Sequence, residues 1–176
     1  SAYFREESEE DLATLHQRLT QTGDYLRERI APDFSVPIHH VVEERITVRT
    51  EFVPVDPNRV NADTRRLADF VALNGMEDHV RLVDGRMPSS EPVDGFYEVL
   101  VVSGSLDQLK LVLGNKFEMK VTEGEETSPI KVRPVGIIEK KSQEDLFWYT
   151  SNINSYNTSF FIPFELFERE FTEGHK

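Results

Sequence analysis

Cysteine is absent from the chain. That one absence removes disulfide scaffolds, thiolate zinc sites and cysteine nucleophiles together. Long apolar runs are missing as well. No stretch approaches the eighteen or so residues that a membrane helix needs, and no membrane partner is expected. Basic residues are the minority, 20 Lys and Arg against 32 Asp and Glu, which gives a formal charge of −12. A surface built to grip nucleic acid relies on clustered cations whose engagement releases counterions. Here the cations are interspersed with acids, as in Arg27-Glu28-Arg29 and Glu139-Lys140-Lys141. The balance speaks against nucleic acid; an acidic excess keeps a chain soluble and biases it towards basic partners or towards imitating an acidic one. Ser1 to Arg5 lack a charged segment leading into an apolar core, so no secretory signal is read there, and the expected compartment is the cytoplasm.

What is present is a chain of 176 residues, 38% hydrophobic, enough for a real core without metal or cross-links. The expectation is a single domain, 1–176, with an N-terminal helix over about 8–31 and an α+β body over about 37–176. Ser8 and Asp11 approximate a capping box, and Leu12, Leu15, Leu19, Leu26 and Ile30 form one apolar stripe ending at Pro32. From Glu43 to Val53 the period changes to two, which marks a half-buried strand. Asn61 then reads as the cap of a helix carrying Leu67, Phe70 and Val71, with Gly75 as its terminator. A short strand over His79 to Val83 ends at Asp84-Gly85, and Arg86 to Gly95 reads as an irregular loop.

Phe96 to Val102 is a nearly continuous apolar run, the mark of a strand covered on both faces. Ser105 with Gln108 suggests a capped helix, and Phe117, Met119 and Val121 alternate with polar residues in the next strand. Strand, short helix, strand suggests a ferredoxin-like βαβ unit. Ile130 to Ile137 is a strand interrupted by Pro134, which belongs at an edge or a bulge. The C-terminal region is aromatic, with Leu146-Phe147-Trp148-Tyr149 and Phe160-Phe161-Ile162 as strand-like runs and Pro163 opening a last helix. The fold expected is therefore α+β: a mainly antiparallel sheet with ferredoxin-like βαβ units, helices on one face, and the N-terminal helix packed on it.

Two groups of residues carry possible chemistry. Asp94 precedes an apolar strand, and Glu118 and Lys120 share one face of a later strand. Two carboxylates on a magnesium ion with a lysine near the attacking water is what phosphodiester hydrolysis requires. Over Asp94 to Lys120 this pattern is similar to the restriction-endonuclease-like nuclease superfamily, and the resemblance implies a magnesium-dependent nuclease. His39-His40 followed by Glu43-Glu44 is the one close gathering of nitrogen and oxygen ligands, with His40 and Glu44 as an alternative zinc or iron pair.

Neither set forms a convergent catalytic group in the sequence, and the sequence carries no cofactor fingerprint. The leading expectation is a non-catalytic, acidic binding or regulatory domain, inhibitor- or immunity-like, with no resident cofactor or metal. It would act on an unidentified protein through an aromatic interface or pocket of Trp148, Tyr149, Phe160 and Phe164, since aromatics anchor interfaces. The first alternative is the nuclease. The second is a small-ligand carrier with an aromatic pocket from Phe147, Trp148, Tyr149 and Phe160.

Overall fold

The computed structural model describes residues 21, 22, 25, 28, 42–56, 58, 64–119, 129–148 and 152–172. The chain divides into two compact units, 1–41 with 168–176, and 42–167. Of the first, residues 21, 22, 25 and 28 are helical and Glu168–Thr172 forms a π-helical turn. The remainder of the helix expected over 8–31 lies outside the described residues.

The second unit is a closed barrel. Its strands are β1 (Glu44–Ile46), β2 (Thr50–Pro54), β3 (Arg66–Leu73), β4 (Val80–Gly85), β5 (Tyr97–Val102), β6 (Phe117–Met119), β7 (Lys131–Lys140) and β8 (Ser159–Phe161). Hydrogen bonding runs β3–β2–β6–β7–β5–β8 and returns to β3, so six strands close the ring. Two of the pairings, β5–β7 and β3–β8, are parallel and the rest antiparallel. Outside the ring, β1 continues along β3 beyond β2, and β4 continues along β7 beyond β6. The helices among the described residues of this unit are short, α1 (Ser103–Gln108) and α2 (Phe164–Phe167).

This overturns the α+β expectation. Among the described residues there is no ferredoxin-like sheet with helices on one face; the sheet covers itself by closing, and the N-terminal helix expected to pack on it lies largely outside the described residues. Strand β6 does not lie parallel to β5, as a βαβ unit demands. It pairs antiparallel with β7, which itself runs parallel to β5. The segment expected to be helical with Leu67, Phe70 and Val71 is strand β3. The residues 146–148, expected to extend, form a 3-10 turn.

The barrel wall is apolar on both faces. Phe52 of β2, Phe70 of β3 and Phe160 of β8 meet at centroid distances of 5.2–6.1 Å, and Tyr97 of β5 stands edge-on to Phe70 at 6.4 Å. Rings from four strands thus converge in the interior, each such pair adding about 0.5–1.5 kcal/mol beyond its area. Alternate positions point the other way. Val71 and Leu73 of β3, Leu100 and Val102 of β5, Ile138 of β7 and Phe161 of β8 join Met76, Val80, Phe147, Trp148, Ile153 and Tyr156 in one buried cluster. The 3-10 turns Leu146–Trp148 and Ile153–Tyr156 lie over the wall as an outer layer. Trp148 is tied there by its indole N–H, which donates to the His79 carbonyl at 3.1 Å.

Two irregularities shape the wall. Between the pairs Ile46–Val71 and Thr50–Ala68, three residues of the β1–β2 strand face two of β3, a bulge that leaves Val48 outside. In β7, Val99 opposes Pro134 while Leu100 opposes Gly136, so Pro134 does sit at a bulge. No helix among the described residues is long and apolar enough to cross a membrane.

Candidate binding cleft

Strands β3 and β8 are parallel, so their C-terminal ends leave the barrel together. The Asn74-Gly75 turn and the 3-10 turn Met76–Asp78 follow β3, and Ile162, Pro163 and α2 follow β8. Between these exits lies a cleft of about 310 Å³, walled by Asn74 to Glu77, Met87, Pro88, Leu100, and Ile162 to Glu165. Leu100 and Met76 also belong to the outer apolar layer. The cleft therefore reaches down to that layer, with buried Leu100 and Met76 at its base.

Gly75 supplies the left-handed turn at one rim, with φ of 74°. Of the other walls, Phe164 on the segment after β8 is half-buried and Met87 on the 86–89 segment is exposed. Arg45 lies over the Phe164 ring at 5.4 Å, and its guanidinium donates to Glu43 at 2.8 Å, so this cation is both stacked and neutralised. The charged residues that line the cleft are Glu77 and Glu165, both exposed. Neither enters an ion pair with another described residue.

The wall segment Met87-Pro88 is held by one carboxylate. Glu98 of β5 is wholly buried. It accepts from Arg86 Nη1 at 2.6 Å, Arg86 Nη2 at 2.5 Å, Arg133 Nη2 at 2.5 Å and the Ser89 backbone N–H at 3.1 Å. Arg86 Nη1 also donates to the Met87 carbonyl at 3.0 Å, and the Arg86 backbone N–H to Val135 at 3.0 Å. The Arg86 hydrogen bonds, aided by Arg133 and Ser89, outweigh burial and hold Glu98 at a pKa of about 2. Residues 86–89 are thus anchored to the wall of β5 and β7 from both sides of the chain.

The other sequence candidates take structural places. Asp94 has φ of 54° and Gly95 φ of 77°, between Val93 and Phe96, which exchange both backbone hydrogen bonds at 2.9 and 3.0 Å. Positive φ at both central residues is a type I′ turn, for which Asp-Gly is a preferred pair. Glu118 lies in β6 opposite Val53 and Lys131. Lys120 lies outside the described residues. Glu44 accepts from the Tyr156 hydroxyl at 2.7 Å, while His40 lies outside the described residues. Among the described residues no three of His, Asp and Glu gather as a metal-holding group.

Of the aromatic candidates, Trp148 and Phe160 are buried, the first in the outer layer and the second in the barrel interior, as is Phe147 beside Trp148. Tyr149 lies outside the described residues. Phe164 lines the cleft. Sequence reasoning missed Met87, Pro88 and Glu98. The first two come from a loop with no periodicity. Glu98 carried a usable signal, a lone carboxylate inside a run whose neighbours are apolar on both faces. No family model matches the chain, and no curated protein matches it in sequence.

Proposed function

We propose that the barrel unit is a non-catalytic binding module that acts through protein contacts at this cleft. The observation that carries the reading is the composition of the cleft. An apolar floor continuous with the core, Leu100 and Met76, is flanked by accessible Met87 and Phe164 under an acidic rim. Methionine adapts its shape to varied apolar groups, which suits a site that receives a side chain from a partner. A volume of about 310 Å³ is at the small end for metabolite pockets but accommodates an aromatic or aliphatic anchor residue.

The supporting chemistry elsewhere is consistent with this role. The buried carboxylates are each taken up by partners, Glu98 by Arg86 and Arg133, and Asp69 by Arg49 and Ser159. Asp94 serves a turn. The test is a selection of peptides from a random display library against the wild-type chain, read with methyl NMR at the methionines. Binders are expected to shift the Met76 and Met87 methyl signals and to lose affinity on Met87→Asp, a change at an exposed side chain. Binders that leave both methyls and the variant untouched, or a selection that yields none, refute the reading.

A further inference from the structure

We infer that the occupant of the cleft is a basic peptide segment, with an apolar anchor residue between Met87 and Phe164 and flanking Lys or Arg side chains against Glu77 and Glu165. The inference rests on the cleft being the binding site and goes further by fixing the partner's chemistry.

Charge complementarity decides among occupants. Among the described residues the lining contains two carboxylates and no cation. The cations beside it are already engaged: Arg45 is stacked on Phe164 and paired with Glu43, and Arg86 is paired with Glu98. A second copy of this chain, at a formal charge of −12, meets like charge. A neutral metabolite fills the floor but makes no use of the rim. A basic segment satisfies both: the anchor extends the outer apolar layer over Leu100 and Met76, and its cations meet carboxylates on either side.

The geometry is set in advance. The Met87-Pro88 wall is fixed through Arg86 and Ser89 to buried Glu98, and Phe164 is held by Arg45. A partner therefore orders itself and not the site, a saving that favours short segments.

The experiment compares two short peptides, one with Leu or Phe between Lys and Arg residues, the other with Glu in place of every Lys and Arg. Both are titrated into the wild-type chain and into the double variant Glu77→Lys, Glu165→Lys. Both substitutions are on exposed side chains, and the variant's backbone NMR spectrum verifies the fold. The basic peptide is expected to shift the Met76 and Met87 methyls, to weaken about tenfold in the double variant, and to weaken as salt rises. Equal or tighter binding of the acidic peptide at the same methyls overturns the inference and leaves the cleft as a binding site. A basic peptide that binds elsewhere, or not at all, also overturns it; whether the cleft binds anything is then judged by the library selection alone.

Discussion

Replacing Glu98 with Gln keeps the shape of the side chain and removes its charge from between two guanidinium groups. The carboxylate is fully buried, Arg133 is 19% exposed and Arg86 57%. Its pKa of about 2 in the fold compares with 4.5 for an unperturbed glutamate. At 1.36 kcal/mol per unit, the difference is worth about 3 kcal/mol, and the solvent reach of Arg86 reduces this to about 2 kcal/mol. A depressed carboxylate pKa stabilises above the unfolded value. The full contribution is therefore present at pH 7 and is lost as pH falls from 4.5 towards 2. By pH 3 roughly half is gone. In Glu98→Gln the neutral amide leaves Arg133 facing an uncharged partner at every pH. Urea unfolding of both chains at pH 7 and pH 3 measures the effect, and the difference between chains cancels the titration of all other groups. The variant should be about 2–3 kcal/mol less stable at pH 7, with the gap roughly halved at pH 3. A gap under about 1 kcal/mol at pH 7, or one that does not change with pH, refutes the assigned role.

Further outcomes follow from close approaches in the barrel. A Cβ at Gly136 would fall against the Arg86 carbonyl, and within 2.8 Å of a Leu100 methyl and 3.0 Å of a Leu82 methyl. Gly136→Ala should therefore destabilise by about 1–3 kcal/mol in thermal unfolding. At the Val93–Phe96 turn, Asp94→Asn should be neutral within about 0.5 kcal/mol, because Asn accepts positive φ equally well, whereas Gly95→Ala should cost about 1–2 kcal/mol. Tyr156→Phe removes the hydroxyl that donates to Glu44 and should cost about 1 kcal/mol, measured by the denaturant midpoint at constant slope.

How far these residues announce themselves in sequence depends on what covers them. Strand β5 is legible because burial on both faces of the wall demands a run that is apolar but for Glu98. Strand β3 is equally buried, yet it carries Arg66 and Asp69 in its wall. Those polar residues break the run, and Leu67, Phe70 and Val71 are left at a spacing that mimics a helix. Asp69 is tolerated because Ser159 donates to it at 2.5 Å and Arg49 pairs with it at 3.1 Å, partners 90 and 20 positions away. Arg66 stacks over the Phe117 ring at 5.5 Å, and burial pushes its pKa down. The short run 146–148 looks extended because it is aromatic, but Asp145 caps it: its side chain accepts from Phe147 N–H at 3.0 Å and its carbonyl from Trp148 N–H at 3.1 Å. The cleft has no local signature whatever. Its walls come from four separate stretches, and only Phe164 stood out in sequence.

The aromatic segment and the cleft are two treatments of one surface. Closing six strands into a barrel buries the inner face and leaves the outer face of β3, β5, β7 and β8 apolar, through Val71, Leu73, Leu100, Val102, Ile138 and Phe161. Water contact with that face is costly at roughly 25 cal/mol per Å², and the turns at 146–148 and 153–156 cover most of it. Phe147 stacks on the His79 ring at 4.2 Å, and Trp148 and Tyr156 pack edge to face at 6.5 Å. Leu100 and Met76 belong to the same buried cluster, and beside them stand two rims of the cleft, one fixed by Glu98 and the other by Arg45. Rigid rims around an apolar floor do not collapse onto it. If the floor were merely an imperfection of packing, filling it from within should raise stability. Leu100→Phe should then stabilise, whereas a floor shaped for a partner's side chain gains nothing in stability from the larger ring and loses peptide binding.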